Sequence, residues 1–347
     1  MVIQFAESLK SLVSKILTAA GASTENAQLV SEHLVLSNLS GVDSHGVWHV
    51  ENYVNAIKDN FLLPTALPAI LEETPTTALV SGNWTFGHVA ARYAMQVAIK
   101  KAGDQNVAVV GLVQTNHVGR LGHFTEMAAE AGMLSMIWAG GLDKEKPSAF
   151  PYGGRKPLLH TNPIAMAVPG DGPPSMSYDF ATSATAGMKV NKAHLRGELL
   201  PPGCIVDKHG TPTVDPNDFF DGGGHVAFGG HKGWAQMMAA EYLGRIFTGS
   251  DAYADQNRGG TGNRHQGVTM IAMKADTFQP WGDFQQQASE LAQSTRDIPP
   301  ASGFDEVLVP GDPEKRTRAI RSDEGIPIDE EIWESVVRAA DSVGVSV

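Results

Sequence analysis

One short segment near the N-terminus combines residue types suited to proton transfer. Residues 43–49 read DSHGVWH, and the glycine interrupts an otherwise helical pattern. An imidazole titrates near neutral pH, so His45 could donate or accept a proton there. Ser44 and Asp43 could orient that ring or bind a substrate. The alternative is purely structural, because Asp and Ser also begin helices as capping residues.

A second group of polar residues follows an apolar stretch directly. Residues 107–113 read VAVVGLV, and residues 115–123, after Gln114, read TNHVGRLGH. Polar side chains at the end of a buried strand are a common place for a functional site. Asn116 and His117 offer hydrogen-bond donors and acceptors, and the glycines allow a ligand to approach closely. A glycine-rich turn with incidental polar residues is the competing interpretation.

A third group suits a phosphate or a ribose. Residues 160–163 read HTNP, an apolar run follows at 164–168, and residues 178–184 read YDFATSA. Small and hydroxyl residues beside a strand can cradle such groups with backbone N–H and hydroxyl donors. An ordinary tight turn beside a strand would give the same pattern. The expected contacts are Thr161, Asn162, Pro163, Tyr178, Asp179, Phe180, Ala181, Thr182, Ser183 and Ala184.

Two further segments could bind the same ligand. Residues 229–233 read GGHKG and open a helix, where backbone N–H groups and Lys232 attract anions such as a pyrophosphate; His231 precedes that lysine. A solvated lysine at a helix start is the alternative. The turn at 309–313 reads VPGDP, and Asp312, flanked by Gly311 and Pro313, could accept a hydrogen bond from a ribose hydroxyl.

Taken together and in order, these segments resemble the malate/L-lactate dehydrogenase family, which lacks a Rossmann fold. The family's S-H-G-x-x-R corresponds to residues 44–49, and its N-H-x-G-x-x-G to 116–122. Its P-x-G-G corresponds to 151–154, its T-N-P lies within 160–163, and its D-x-A-T-S corresponds to 179–183. The resemblance covers nearly the whole chain.

The resemblance implies an α/β homodimer that transfers a hydride between NAD or NADP and a 2-keto acid or a cyclic 2-imino acid. It implies a mainly antiparallel nicotinamide-binding domain, assigned to residues 76–311, and a helical part from both termini, 1–75 and 312–347. Carried over by position, His45 is the proton donor and His117 the second catalytic candidate. Ser44 and Asn116 lie beside the substrate, and the three cofactor segments above contact the nicotinamide cofactor.

One substitution within these motifs affects the substrate site. The family arginine that receives the substrate carboxylate is His49 here. A guanidinium stays charged and binds a carboxylate with two hydrogen bonds, whereas an imidazole does neither reliably. Either the pocket has changed, or another cation receives the carboxylate, and Arg120 is the obvious candidate.

A metal-dependent hydrolase or lyase is the alternative function. His45 and His49 are four residues apart and would share a helix face, and with His117 and Asp43 they could bind zinc. The sequence lacks H-E-x-x-H and any C-x-x-C motif, which disfavours this alternative. It also lacks G-x-G-x-x-G after a strand, so a nicotinamide cofactor would need an unusual fold.

The elements that must position these residues can be inferred from periodicity. Helical spacing predicts an α-helix around 9–17, another from Ser23 to about Leu39, and a third across 47–57. Apolar runs bounded by Gly, Pro or Asn predict strands, and helical patterns fill the gaps between them. The predicted strands are 78–80, 107–113, 135–139, 164–168, 269–273 and 306–309. The later predicted helices are 88–102, 124–131, 234–247 (with Met237, Met238, Tyr242 and Ile246 as the buried side) and 330–342.

Composition excludes several classes of protein. The 347 residues carry a formal charge of −12, which disfavours nucleic acid as a partner. One cysteine, Cys204, rules out a disulfide within the chain and suits a reducing compartment. No apolar run approaches the ~20 residues of a membrane span. Composition therefore predicts a cytoplasmic protein, and the resemblance implies that it acts on a small-molecule substrate.

Overall fold

A computed structural model describes all residues from Met1 to Val347. It contains twelve α-helices and twelve β-strands. The helices are α1 (Ala6–Ala19), α2 (Thr24–Leu39), α3 (Val50–Lys58), α4 (Gly87–Gln105), α5 (Leu121–Glu130), α6 (Gly187–Arg196), α7 (Pro216–Phe220), α8 (His231–Glu241), α9 (Gly260–Asn263), α10 (Trp281–Arg296), α11 (Asp312–Glu324) and α12 (Glu330–Asp341). The strands are β1 (Val2–Gln4), β2 (Ala69–Glu73), β3 (Thr77–Ser81), β4 (Val107–Val113), β5 (Met133–Gly140), β6 (Ile164–Val168), β7 (Met176–Phe180), β8 (Ile205–Val206), β9 (Pro212–Thr213), β10 (Gly224–His225), β11 (Gly267–Lys274) and β12 (Ile326–Ile328).

A seven-stranded sheet forms the centre of the molecule. Its strand order is β2-β3-β4-β11-β5-β6-β7. Only the β3–β4 pair is parallel, and every other neighbouring pair is antiparallel. Helices α4 and α5 cover the apolar core of this sheet, to which Met95 and Phe124 contribute fully buried side chains. The expected α/β fold with a mainly antiparallel sheet is confirmed.

A second hydrophobic core joins the two ends of the chain. It packs α1, α2 and α3 against α12 and the short β1–β12 sheet. Leu9 and Ile16 of α1, and Val336 of α12, are among its fully buried members. Strand β2 precedes residue 76 in sequence yet belongs to the large sheet, so the sheet begins earlier than the predicted division places it. No helix has both the length and the apolar character needed to cross a membrane.

Three local predictions were wrong. Residues 306–309 form no strand, because they lie in an irregular segment outside both sheets. The predicted helix over 234–247 changes at residue 242 into a π-helical turn. Tyr242 and Ile246 are about half exposed and not buried as predicted, whereas Met237 is buried as predicted. Helices α10 and α11 were not predicted, since their sequences are rich in polar residues.

Candidate active site

The His45 segment is held in a fixed shape by α2. Residues 43–45 form one 3-10 turn and residues 47–49 form another, with Gly46 between them in an extended conformation. Asn38 near the end of α2 donates from Nδ2 to Asp43 Oδ1 at 2.7 Å and accepts from the Val47 N–H at 2.9 Å. A Cβ atom at residue 46 would overlap the Asn38 amide, so glycine is required there.

Three of the predicted histidines meet in space. The ring centroids of His49 and His117 are 4.5 Å apart, those of His45 and His117 5.6 Å, and those of His45 and His49 6.4 Å. The three rings come from two distant segments, since His117 lies in the loop between β4 and α5. The fold therefore unites the first and second motifs into one imidazole cluster.

His45 and His117 each have one ring nitrogen oriented by the protein. The Nδ1 atom of His45 is 3.1 Å from the Ser44 hydroxyl oxygen. The Nδ1 atom of His117 is 2.8 Å from the Tyr53 hydroxyl oxygen, which also lies 3.4 Å from His88 Nε2. In both rings this arrangement leaves Nε2 without a protein partner. Both histidines are thus fixed in orientation and retain an atom for proton transfer.

Three further histidines lie behind this pair. His33 of α2 and His88 of α4 are buried, and their ring centroids are 4.5 Å apart. The Arg120 backbone N–H donates to His33 Nε2 at 3.0 Å, so that nitrogen must be unprotonated. The remaining nitrogen, Nδ1, then carries the proton and donates to His123 Nδ1 at 2.8 Å. His33 is therefore held in one neutral tautomer.

Burial keeps the imidazoles of this cluster neutral. Desolvation lowers the pKa of His45 to about 4, with a further contribution from the Arg120 charge, and it lowers the pKa of His49 to about 3. The pKa values of His117, His33 and His88 are also lowered well below the ordinary value, again mainly by burial. At neutral pH the free site thus presents proton acceptors rather than cations.

His49 turns toward the backbone of its own segment. Its Nε2 atom is 2.9 Å from the Ser44 carbonyl oxygen and 3.1 Å from the Trp48 indole nitrogen. A protonated Nε2 can donate to the Ser44 carbonyl, whereas an unprotonated Nε2 can accept from the Trp48 indole N–H. Only one of these two hydrogen bonds can form at a time. His49 stands at the position of the family arginine, next to His117, without a permanent charge.

Arg120 does not face the site as a free cation. Its guanidinium is 3% exposed and is paired with Glu126, with Nη2 to Oε1 at 2.5 Å and Nη1 to Oε2 at 3.3 Å. Asn116 is also committed, since its amide donates to the carbonyl oxygens of Trp84 and Thr85 at 2.8 and 3.0 Å. The salt bridge occupies the Arg120 guanidinium and the two hydrogen bonds occupy the Asn116 amide nitrogen, so both residues hold the second motif in place.

The predicted cofactor segments converge around strand β7. The Thr182 N–H bonds to the Thr161 carbonyl, and the Phe228 N–H bonds to the Thr182 carbonyl, which places the start of α8 beside both segments. The Ser177 N–H bonds to the Pro310 carbonyl and so attaches the turn before α11. Asp179 accepts from the Gly122 N–H at 2.7 Å, which joins β7 to the second motif.

Several polar side chains in these segments have structural partners instead of a free face. Thr182 donates to the carbonyls of Thr161 and Asn162, and Asn162 donates to Glu241. Ser183 donates to the Thr185 carbonyl. Asp312 is paired with Arg296 at 2.8 and 2.9 Å, so the expected contact between Asp312 and a ribose is not supported. Burial raises the pKa of Asp179 to about 6, although nearby Arg120 opposes the shift.

Other groups in these segments remain available to a ligand. Gly229 and Gly230 have φ values of +57° and +66° and turn the chain into α8. His231 and Lys232 in its first turn are exposed, and Lys232 makes no ion pair. Phe180 is 42% exposed and stacks on Tyr178 with ring centroids 5.0 Å apart. A cationic helix start beside an aromatic surface fits the pyrophosphate and a ring of a dinucleotide.

The metal-site alternative is not supported. No group of three or more His, Cys, Asp and Glu side chains has the geometry to hold a metal ion. Asp43, the proposed fourth ligand, is bound by Arg321 and Asn38. The imidazoles of His45, His49 and His117 are therefore close to one another but are not arranged to coordinate a metal ion.

The sequence analysis missed residues that support the cluster from other helices. Tyr53, His33 and His88 contact the predicted residues, yet each looks like an ordinary helical position in the sequence. A periodicity signal exists only for Tyr53, which lies one turn after His49 on α3 and would share its face. Arg318 and Arg321 on α11 were also missed, because α11 itself was not predicted.

Comparisons with known proteins agree with this fold and this grouping of motifs. Residues 5–337 match the family model described as malate/L-lactate dehydrogenase. The malate/(S)-sulfolactate dehydrogenase of Methanothermus fervidus is 32% identical over 98% of both chains.

Solved structures show the same architecture. The sulfolactate dehydrogenase of Methanocaldococcus jannaschii superposes with a TM-score of 0.89 at 31% identity, covering 99% of this chain and 98% of that one. The delta1-piperideine-2-carboxylate reductase of Pseudomonas syringae superposes with a TM-score of 0.85 at 28% identity, covering 98% of this chain and all of that one. With its sequence matched from residue 5 to residue 337, this chain belongs to the malate/L-lactate dehydrogenase family and is an oxidoreductase of the dehydrogenase type.

Proposed function

We propose that this protein transfers a hydride between NAD or NADP and a 2-keto or 2-hydroxy acid, or a related cyclic 2-imino acid. The observation that carries the proposal is the meeting of His45 and His117, which have ring centroids 5.6 Å apart and one unpartnered nitrogen each. A carbonyl or imine that gains a hydride also needs a proton, and two oriented imidazoles can supply it.

His45 is the proposed proton donor in reduction and the acceptor in oxidation. Because burial keeps its ring neutral, it is ready to accept a proton from a substrate hydroxyl. Reduction requires the protonated ring, which an anionic substrate would favour. His117, fixed by Tyr53, lies beside it as a second hydrogen-bonding group for the reacting oxygen or nitrogen.

Ser44 and His49 complete the proposed substrate contacts. Ser44 presents a hydroxyl next to His45, and His49 lies against His117. The names of the relatives point to substrates in which a carboxylate neighbours the reacting carbon, as in sulfolactate and piperideine-2-carboxylate. With His49 neutral, carboxylate binding in this chain would be weaker than with an arginine.

The nicotinamide cofactor would be held by β7 and the start of α8. Lys232, His231 and the first backbone N–H groups of α8 would bind the pyrophosphate, and Phe180 with Tyr178 would offer an aromatic surface. The bound cofactor supplies or accepts the hydride. These protein groups contribute its binding and its orientation toward the imidazole pair.

We further propose a cytoplasmic homodimer. The π-helical turn and the residue after it carry three exposed apolar side chains, Tyr242, Ile246 and Phe247, which offer an apolar face for a second copy. The single cysteine suits a reducing compartment.

A substrate panel tests the proposed function. The protein is incubated with NADH or NADPH and a series of 2-keto acids and cyclic 2-imino acids, and loss of absorbance at the reduced nicotinamide band is followed. At least one substrate should be reduced, and His45→Ala should lose about 10²–10⁴-fold in kcat while still binding cofactor. A wild-type kcat in His45→Ala would show that His45 is not the proton donor. If His117→Ala instead loses about 10²–10⁴-fold in kcat, His117 is the donor.

A further inference from the structure

Helix α11 contacts both catalytic segments with side chains that face the same way. Arg318 and Arg321 are three residues apart and therefore lie on one side of the helix. That side packs against α2. Arg316 lies about 200° around the axis from Arg318, on the opposite side, where it pairs with exposed Glu306.

Arg321 binds the segment that carries His45. Its two terminal nitrogens bond to the two carboxylate oxygens of Asp43 at 2.8 and 3.2 Å. The same guanidinium donates to the Asn38 carbonyl oxygen, and Asn38 itself bonds to Asp43. Since Asp43 begins the 3-10 turn that ends at His45, a paired and partly buried guanidinium fixes the start of that turn.

Arg318 binds the segment that carries His117. Its guanidinium bonds to Glu126 at 3.1 Å and to the Ser40 hydroxyl at 2.9 Å. Glu126 in turn binds the buried Arg120, three residues after His117 in the same loop. Arg318 therefore links the end of α2 to the second motif through one shared carboxylate.

We propose that Arg318 and Arg321 are positioning residues that set the separation and orientation of His45 and His117 for proton transfer. The proposal rests on the proposed function, since it assumes that these two histidines act on the substrate. The two arginines touch neither histidine and act through Asp43 and the Glu126–Arg120 pair. One helix thus aligns two segments that are far apart in sequence.

The test compares three alanine variants of one helix. Arg321→Ala and Arg318→Ala should lower kcat by about 10–100-fold, because small displacements of a catalytic group have effects of this size. Their dissociation constants for NADH should stay within about twofold of wild type, since neither side chain lies in the cofactor segments. Arg316→Ala, the matched control with an exposed ion pair, should keep wild-type kcat.

Isotope effects separate positioning from general damage to the fold. If proton transfer becomes slower, the solvent deuterium isotope effect on kcat should rise in Arg321→Ala, whereas Arg316→Ala should keep the wild-type value. Arg321→Lys keeps the charge but not the paired geometry, so it should recover only part of kcat. If Arg321→Ala does not fold, Asp43→Asn removes the same ion pair at constant size and carries the same expectation.

Two results would overturn the inference. The first is a kcat within twofold of wild type in both Arg318→Ala and Arg321→Ala. The second is a loss of kcat with an unchanged solvent isotope effect and a parallel loss of cofactor binding. His45→Ala and His117→Ala are measured alongside: if they stay active, the proposed function fails, and if they lose activity while the arginine variants do not, only this inference fails.

Discussion

Acid should destabilise this fold because several of its histidines are buried in the neutral form. His225 illustrates the size of the effect: it is 2% exposed, and burial lowers its pKa to about 3 from 6.5. Below pH 6.5 the unfolded chain binds a proton at this residue and the folded protein does not. Stability is therefore complete above pH 6.5 and is lost as the pH falls toward 3.

The magnitude follows from the proton linkage. At pH 5, about 1.5 pH units below the pKa of His225 in the unfolded chain, protonation of this residue stabilises the unfolded state by about 2 kcal/mol relative to the folded state. His33 and His88, which are 1% and 3% exposed, have pKa values lowered in the same direction by burial. The loss at pH 5 should therefore exceed the ~2 kcal/mol from His225 alone, which is already a sizeable part of the ~5–15 kcal/mol that stabilises a typical domain.

Urea unfolding at a series of pH values measures this dependence. The free energy of unfolding should fall steeply from pH 7 to pH 5, with a slope that reports uptake of two or more protons. His225→Gln should reduce the loss over this range by about 2 kcal/mol, whereas His209→Gln, at an exposed position, should not change it. An equal free energy of unfolding at pH 7 and pH 5 would refute the reasoning, as would a wild-type slope in His225→Gln.

Three further predictions concern the site. His49→Arg should raise kcat/KM for simple 2-keto acids at pH 8 by about 10–100-fold, because it places a permanent cation beside His117; no change for any keto acid would show that His49 does not face the carboxylate. Lys232→Ala should weaken NADH or NADPH binding by about 1.5–3 kcal/mol in titration calorimetry, whereas Lys208→Ala, which loses an exposed ion pair, should bind normally. Between pH 6 and 9, kcat/KM for reduction should fall about tenfold per pH unit, because the pKa of His45 is about 4 and the protonated fraction of its ring falls by that factor. The oxidation rate, which needs the neutral ring, should stay level over the same range. A reduction optimum at pH 8 would argue against His45 as the donor.

Strong local patterns made much of the fold predictable from sequence. Helices α1 and α3 have apolar stripes, and α2 has a capping serine, Ser23, which accepts from the Asn26 N–H as expected. Strands β4, β5, β6 and β11 are apolar runs bounded by turn residues. Helix α11 has no apolar stripe, and only Pro313 near its start and Gly325 after its end mark it.

Side-chain partners were the part that the sequence could not supply. Arg120 and Asp312 look like free ligands in their motifs, yet Glu126 and Arg296 pair with them in the folded protein. Those partners are set by tertiary packing, which local spacing does not record. His33 and His88 likewise join the site only because α2 and α4 pack beside the His117 loop.

Transfer of a labelled hydride tests the central claim most directly. The wild-type protein is incubated with NADH or NADPH deuterated at the transferred position of C4 and with the best 2-keto or cyclic 2-imino acid, and the product is examined by mass spectrometry. We expect one deuterium bonded to the carbon next to the carboxylate, and the same labelled product formed about 10²–10⁴-fold more slowly by His45→Ala. Product that forms without deuterium, or turnover that needs no nicotinamide cofactor, would contradict the central claim.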